Sequence, residues 1–192
     1  VSAAMQTRSD LIVVFGGGMA PHTGITPKRT VVRIDVDPLA SRRNGPNVEI
    51  FALADAGETA QALTSATASR ERPELRMWLA ERKAWWNERK RSRVGLDRDG
   101  RLTSAAIFTS LERYIPPDAI VALDVGNSTY SFGRYFQANG QRVTMSGWLG
   151  SIGYALPAAV GAAAAYPKKT IVGIAGDGGF GQYAMEIATV AL

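Results

Sequence analysis

The stretch Gly176-Asp177-Gly178-Gly179-Phe180 decides the fold, because a strand pattern precedes it and a helix pattern follows it. Residues 170–175 form a short apolar run with β-branched side chains, which is typical of a buried strand. Residues 182–192 carry apolar side chains at helical spacing. A strand, a glycine-rich turn and a helix in this order predict an α/β fold, with the turn at the carboxyl edge of a parallel sheet.

Glycines around a single aspartate can form a cradle for a phosphate group and a metal ion. Glycine lets the backbone approach an anion closely, and the free N–H groups at a helix N-terminus point toward such an anion. Asp177 supplies a carboxylate, the kind of ligand that a hard divalent cation prefers. An ordinary tight turn has the same local sequence, so the surrounding motifs must decide between the two interpretations.

The composition is that of an ordinary globular protein of 192 residues, with 46% hydrophobic and 20% charged residues. No segment approaches the ~20 consecutive apolar residues of a transmembrane helix, and no leader pattern is visible at Val1. The chain has no cysteine and one histidine, His22, which excludes disulfides, thiolate metal sites and histidine clusters. We therefore expect a cytoplasmic protein without an integral membrane segment.

The formal net charge of +5 is concentrated between Arg70 and Arg101. Within this segment, residues 73–90 predict an amphipathic helix with basic residues on the solvent side. Its predicted apolar stripe consists of Leu75, Trp78, Leu79, Trp85 and Trp86. Basic residues interleaved with tryptophan can bind nucleic acid, but the pattern is more typical of a solvated helix that packs through its tryptophans. We therefore predict a basic helical linker over residues 68–101 and no nucleic-acid partner.

The segment before the linker, residues 1–67, has the pattern of a parallel sheet with one helix. Apolar runs predict strands at residues 11–15, 30–35 and 48–51. Asp55 is a good N-cap for the helix expected to begin at Ala56.

Gly16 and Gly17 follow the first of these strands, but the chain lacks the Gly-x-Gly-x-x-Gly spacing of a dinucleotide site there. Pro21 and Pro27 also disfavour an immediate helix, so an independent NAD site is not expected.

A second unit is predicted over residues 102–192. It opens with a helix at residues 102–113, capped by Thr103 or Ser104, and continues with a strand at residues 119–124. We therefore predict two doubly wound, Rossmann-like parallel-sheet units, both incomplete, on either side of the linker.

Three motifs of the second unit resemble the cofactor-binding domain of thiamine-diphosphate-dependent enzymes. The first is residues 147–162, in which a glycine-rich turn leads into a helix of small residues. The second is residues 176–182, and the third is the strand end Asp124-Val-Gly-Asn-Ser128. The resemblance is closest to the group that contains acetolactate synthase, pyruvate oxidase and pyruvate decarboxylase. It implies that residues 1–67 are the second half of a middle domain and residues 102–192 the first half of the cofactor domain.

The resemblance also implies roles for individual residues. Asp177 would bind Mg²⁺ and, through it, the diphosphate. Ile152 would be the apolar wedge between the two rings of the cofactor, and the carbonyl of Gly150 would accept a hydrogen bond from its amino group. The implied cofactor-binding residues are Gly126, Asn127, Ser128, Gly150, Ser151, Ile152, Gly176, Asp177, Gly178 and Gly179.

FAD is a second cofactor that the resemblance raises, because some members of the group hold a flavin on the middle domain. The residues that would contact it are Gly16, Gly17, Asp35, Asp55 and Ala56. Gly18 stands where flavin-binding members often carry arginine, and a middle domain that serves only as a scaffold fits the sequence equally well.

The implied activity is a thiamine-diphosphate- and Mg²⁺-dependent decarboxylation or carboligation of a 2-keto acid, with pyruvate as the first choice. The group also implies a homodimer or homotetramer, and this segment alone is expected to be inactive. Two alternatives stay open on the sequence: a non-catalytic module that binds an adenine nucleotide between Gly16 and Asp35, and an inactive truncated remnant.

Overall fold

The computed structural model describes residues 6–17, 29–43 and 48–191. The chain divides into two compact units, Val1–Trp86 and Asn87–Leu192. Within the described residues, each unit contains one sheet of three parallel strands. The predicted α/β class, with two parallel-sheet units, is confirmed.

The sheet of the first unit has the order β1-β2-β3, formed by Leu11–Phe15, Thr30–Asp35 and Val48–Leu53. The central strand β2 buries Val31 and Ile34, as expected for a strand with neighbours on both sides. A 3₁₀ helix over Pro38–Arg43 follows β2. Helix α1 follows β3 over Ala56–Ala66, and Asp55 Oδ1 accepts a hydrogen bond from Glu58 N at 2.9 Å. The predicted N-cap at Asp55 is therefore confirmed.

The basic segment forms helix α2 over Pro73–Arg91, as the sequence predicts. The prediction that its basic side chains all lie on the solvent side is wrong at Lys90, which is buried. Its ammonium group donates to Glu112 Oε1 at 2.6 Å, and this ion pair compensates for the loss of water. Neither α2 nor any other helix in the described part of the chain is long and apolar enough to span a membrane.

The second unit alternates helices and strands. Its sheet has the order β5-β4-β6, and Thr103 caps the first helix by accepting a hydrogen bond from Ala106 N at 3.2 Å. The elements are α3 (Ser104–Tyr114), β4 (Ile120–Leu123), α4 (Asn127–Tyr135), β5 (Arg142–Met145), α5 (Ala155–Ala165), β6 (Ile171–Ile174), α6 (Asp177–Tyr183), a 3₁₀ helix (Ala184–Glu186) and α7 (Ile187–Ala191).

Strand β4 is the centre of this unit, because all four of its residues are buried and it pairs with a strand on each side. One aromatic cluster covers a face of the sheet: the Phe132 ring stacks on Phe136 at 4.6 Å and meets Phe108 edge-on at 5.8 Å between centroids. This packing holds α3 and α4 against β4. Because β4 is the central strand, its carboxyl end lies at the middle of the sheet edge.

The helix after β6 begins earlier than the sequence predicts. Residues 182–192 are the predicted helix, whereas α6 already begins at Asp177 and gives way to a 3₁₀ turn at Ala184. Gly176 has the extended conformation of an N-cap residue, and its carbonyl accepts from Phe180 N at 2.9 Å, which closes the first turn. The glycine-rich motif is thus the first turn of a helix, although glycine disfavours helix interiors.

Candidate functional site

Three loops meet at the carboxyl edge of the second sheet. Leu123, the last residue of β4, pairs with Met145 at the end of β5 and with Ile174 at the end of β6. The loops that follow these strands therefore begin side by side, and Asp124 N still donates to Ile174 O at 2.9 Å. The structure thus brings together the three motifs that the sequence singles out, at the edge where parallel α/β sheets bind ligands.

Asp124 lies at the meeting point of these loops and is 1% exposed. Its Oδ1 accepts hydrogen bonds from Gly153 N at 2.8 Å and from Val125 N at 2.7 Å. Its Oδ2 is buried and has no hydrogen-bond partner among the described residues. An unpaired buried carboxylate oxygen is costly, so this side chain points to a constraint beyond ordinary core packing.

Two glycines make the close approach of the loops possible. A Cβ atom on Gly179 would lie 2.1 Å from Asp124 Oδ2, a separation that no real side chain could keep. Gly153 has φ +92°, and a Cβ there would lie 2.6 Å from Tyr183 Cε2. The first turn of α6 and the turn before α5 therefore pack directly against Asp124 and against each other.

Asp177, the predicted metal ligand, is exposed at the start of α6. Its Oδ1 accepts from Gly178 N at 2.9 Å, so the N–H that the sequence assigns to a phosphate is used within the chain. A phosphate at Gly178 would have to replace this contact. The described residues contain no group of three or more histidine, cysteine, aspartate or glutamate side chains that could hold a metal ion.

A single carboxylate, that of Asp177, suits Mg²⁺ that is bound together with a phosphorylated ligand. Proteins commonly hold Mg²⁺ through one or two carboxylates, with substrate phosphates and water supplying the other oxygens. There is room for such a ligand, because a Cβ on Gly150, Gly176 or Gly178 would meet no atom within 4 Å. The residues present therefore fit a diphosphate–Mg²⁺ group.

The turn that carries Gly150 and Ile152 is held by Ser146. Gly150 N donates to Ser146 O at 3.1 Å, and Ser151 N donates to Ser146 Oγ at 3.1 Å. Ile152 is 52% exposed, so it is not part of the core in this structure. Its neighbours Trp148 and Leu149 are more exposed still, at 89% and 82%. The turn therefore presents apolar side chains to its surroundings.

The remaining predicted residues of the second unit lie at the start of α4. Gly126, with φ +140°, precedes the helix, and Asn127 and Ser128 form its first turn. Asn127 is exposed, whereas Ser128 is half-buried. The Thr129 hydroxyl donates to the carbonyl of Asp124, which ties this helix start to the same strand end.

The residues predicted for FAD lie at the carboxyl edge of the first sheet, where Gly16 N donates to Ile34 O at 2.8 Å. The Asp35 carboxylate already accepts from Asp37 N at 3.1 Å and from Arg33 Nη2 at 2.9 Å. The Asp37 N–H and the Arg33 guanidinium together hold the pKa of Asp35 below its ordinary value of 3.8. Asp55 is likewise engaged, as the cap of α1 immediately before Ala56.

Part of the predicted flavin or nucleotide region lies outside the described residues. Gly17 closes the described segment after β1, and Gly18 and His22 lie outside the described residues. An open cavity of about 840 Å³ in the first unit is lined by residues 8–11 and 70–75. It lies at the amino end of β1, whereas the predicted adenine-nucleotide crevice is at the carboxyl end.

Asp124 is the site residue that the sequence analysis missed as an individual. In the sequence Asp124 stands out only as part of a strand-end motif, because its contacts with Gly153 and Gly179 join distant parts of the chain. A signal was present: an aspartate directly follows a fully apolar strand, where a carboxylate is rarely buried without a partner.

The comparisons with known proteins agree with this geometry. Residues 124–192 match the family described as thiamine pyrophosphate enzyme, C-terminal TPP binding domain; thiamine pyrophosphate is another name for thiamine diphosphate. Over 98% of its length the chain is 28% identical to a sulfoacetaldehyde acetyltransferase of Rhodobacter capsulatus, covering 37% of that protein.

Two further relatives are also similar to this chain over nearly its whole length. A Corynebacterium glutamicum acetolactate synthase large subunit is 30% identical over 96% of the chain, and a Lactiplantibacillus plantarum pyruvate oxidase is 27% identical over 93%. The chain covers 30% of each of these two proteins. It therefore spans about a third of the length of the curated relatives it matches.

Proposed function

Because residues 124–192 match the thiamine pyrophosphate enzyme family, we propose that this chain works within a longer polypeptide that converts a 2-keto acid with thiamine diphosphate and Mg²⁺. The observation that carries the proposal is the convergence of three loops at the carboxyl edge of the second sheet. Asp177 is exposed in one of these loops, and a Cβ on Gly150, Gly176 or Gly178 would meet no atom within 4 Å. Space for a diphosphate and one oxygen ligand for a cation thus occur together.

Within this proposal, thiamine diphosphate supplies an electron sink for carbon–carbon bond cleavage or formation next to the keto group. The Asp177 carboxylate would hold Mg²⁺, and the Gly178 N–H, which donates to Asp177 Oδ1 in this structure, would be the donor nearest to it for a phosphate oxygen. Gly176 and Gly179 keep the backbone close to the ligand. Gly126, Asn127 and Ser128 supply backbone and side-chain groups at the start of α4, facing the same edge.

The turn before α5 is proposed to orient the cofactor. Ile152 is exposed and lies one residue before Gly153, which is fixed to Asp124, so its side chain is available as an apolar wedge. Gly150 has φ +70°, and its carbonyl is proposed to accept from the amino group of the cofactor, with Ser151 beside it. These groups would orient the ligand, while Asp177 would hold the Mg²⁺ that balances the negative charge of the diphosphate.

We propose pyruvate as the first substrate to test, because pyruvate oxidase and acetolactate synthase are among the relatives. A homodimer or homotetramer is proposed on the same ground, together with a cytoplasmic location. A second subunit would also cover the exposed side chains Trp148 and Leu149. This 192-residue segment is not expected to be active without the rest of the polypeptide.

FAD binding at the first unit is a separate proposal that rests on the sequence resemblance. The carboxylates of Asp35 and Asp55 already accept hydrogen bonds from within the chain. A flavin nucleotide at this edge would therefore depend on backbone groups near Gly16, Gly17 and Ala56 rather than on those two carboxylates.

The test of the main proposal is the affinity of the full-length polypeptide for thiamine diphosphate, measured by calorimetry with and without Mg²⁺. Binding should require Mg²⁺ in the wild type. Asp177→Ala should weaken it by about a hundredfold or more, because the variant removes the carboxylate that binds the metal.

The matched control is Asp118→Asn. Asp118 lies just before β4, at the amino end of the same sheet, and contacts Lys169 Nζ at 3.4 Å. This variant removes one negative charge from the same unit and should bind like the wild type. If the wild type binds no thiamine diphosphate, or if Asp177→Ala binds as tightly as the wild type, the proposed site is wrong.

A further inference from the structure

We propose that Asp124 is a positioning residue that holds the turn before α5 and the first turn of α6 at a fixed separation, and so sets the spacing between Ile152 and Asp177. The inference rests on the proposed function for its consequence, because that spacing matters only if both segments hold one cofactor. The contacts themselves are visible without a ligand.

The hydrogen bonds of Asp124 fix one side of this arrangement. Oδ1 accepts from Gly153 N at 2.8 Å, directly after the proposed wedge residue, Ile152. The acceptor is buried, so Gly153 N would lose its partner without gaining water if the side chain were shortened. The backbone of Asp124 is itself anchored, because its N–H donates to Ile174 O at the end of β6 at 2.9 Å.

The other oxygen fixes the opposite side. The 2.1 Å separation between Oδ2 and a Cβ built on Gly179 leaves room only for the glycine hydrogen. The same Cβ position lies 3.3 Å from Gly153 N, so the two glycine segments and the carboxylate share one compact contact. Gly179 is two residues after Asp177 in the first turn of α6, so the position of Gly179 also fixes the position of Asp177.

The missing partner of Oδ2 distinguishes this contact from a simple structural hydrogen bond. A side chain selected only for stability would satisfy both of its buried oxygens or be replaced by an apolar residue. Here the second oxygen remains without a donor among the described residues and acts as a spacer against α6. Such unsatisfied groups are concentrated at functional sites, where position outweighs stability.

The experiment compares full-length wild type, Asp124→Ala, Asp124→Asn and the control Asp118→Asn. Two quantities are measured for each: the dissociation constant of thiamine diphosphate with Mg²⁺, and the rate of proton exchange at C2 of the bound cofactor at saturation. The second quantity reports orientation in filled sites and is not moved by a mere loss of stability.

We expect Asp124→Ala to weaken binding and slow the exchange, each by about tenfold to a hundredfold, the usual effect of removing a group that orients a ligating residue. Asp124→Asn keeps an acceptor for Gly153 N and should recover most of both quantities. Wild-type binding and exchange in Asp124→Ala would overturn the positioning role and leave the cofactor site standing. No cofactor binding by the wild type would overturn both.

If Asp124→Ala does not fold, a second pair of variants tests the same contact. Gly179→Ala forces its Cβ against Asp124 Oδ2 and should weaken cofactor binding. The double variant Gly179→Ala with Asp124→Ser has a shorter side chain facing the new methyl group and should bind better than Gly179→Ala alone. Wild-type affinity in Gly179→Ala, or no recovery in the double variant, would contradict the proposal.

Discussion

Gly153 is under three constraints, and two of them, its positive φ and the space around its Cα, are met without strain only by glycine. Its φ of +92° lies in the left-handed region, its N–H donates to the buried Asp124, and a Cβ would lie 2.6 Å from Tyr183 Cε2 and 2.8 Å from Gln182 Oε1. The backbone of this one residue therefore determines how closely the turn before α5 approaches the end of α6.

We predict that Gly153→Ala lowers the free energy of unfolding by about 1–3 kcal/mol, because the methyl group must displace Tyr183 and the left-handed conformation is strained. Urea unfolding followed by circular dichroism measures this change. Gly161→Ala is the matched control, since Gly161 lies inside α5 and a Cβ there meets no atom within 4 Å. It should leave stability unchanged or raise it by up to about 1 kcal/mol; equal losses in both variants would contradict the packing argument.

The sequence singles out exposed members of the candidate site, whereas the buried Asp124 is recognised individually only in the structure. Asp177 and Gly150 stand in local motifs whose residue types already suggest their chemistry. Asp124 and Lys90 could not be recognised individually, because their partners Gly153 and Glu112 are brought to them only by the fold. Roles that depend on tertiary contacts leave little trace in a single sequence.

The end of α2 illustrates how one buried charge organises an element. Lys90 Nζ donates to Glu112 Oε1 on α3, and the same oxygen accepts from Gln137 N at 2.6 Å, just after α4. Gln137 Nε2 in turn donates to Asn87 Oδ1 at 2.8 Å, back on α2. Within the second unit, one hydrogen-bonded network thus ties the end of α2 to α3 and to the residue that follows the C-cap of α4. Removal of Lys90 would leave the charge of Glu112 without its counter-ion.

We predict that Lys90→Ala lowers the free energy of unfolding of the second unit by about 3 kcal/mol, because Glu112 then remains partly buried without its counter-ion. The adjacent variant Arg91→Ala is the control. Arg91 pairs with Glu88 at 2.7 Å, but both side chains are more than 70% exposed, so its removal should change little. Chemical denaturation of the two variants measures the difference, and equal effects would mean that the Lys90 pair contributes no more than a surface contact.

Element boundaries were predictable where the pattern is regular. Apolar runs predict five of the six described strands, and Asp55 and Thr103 cap α1 and α3 as expected. The strand β5 was not predicted, because two of its four residues, Arg142 and Thr144, are polar and interrupt the apolar pattern. The start of α6 was missed because four of its seven residues are glycine or aspartate, which disfavour helices locally. Packing of Gly179 against Asp124 overrides that local preference, and only the tertiary structure contains this information.

The second unit exposes an apolar surface formed by Trp148, Leu149 and Ile152. Trp148 is 89% exposed, and such clusters on globular proteins usually mark interfaces. The full-length polypeptide is proposed to be oligomeric, so a second subunit is the occupant we expect. The surface lies beside the proposed cofactor site, and loss of the partner would therefore also expose the cofactor.

We predict that Trp148→Ser shifts the full-length protein toward the monomer in sedimentation velocity at micromolar concentration, with a dissociation constant raised by about tenfold or more. Leu96→Ser is the control: Leu96 is 65% exposed and lies in the segment between α2 and α3, where it forms an isolated bridge with Leu102. An unchanged oligomeric state in both variants would show that this surface does not form the subunit contact.

The order of the strands in the second sheet has a consequence for the nascent protein. β4 is made first, yet it lies between β5 and β6, which leave the ribosome later. Until β6 has emerged, this fully apolar strand has an unpaired edge, a state that favours aggregation or capture by a chaperone. Gly179, which completes the contact around Asp124, emerges later still. The loops at the sheet edge can therefore assemble only near the end of the synthesis of this segment, however early the core strand is made.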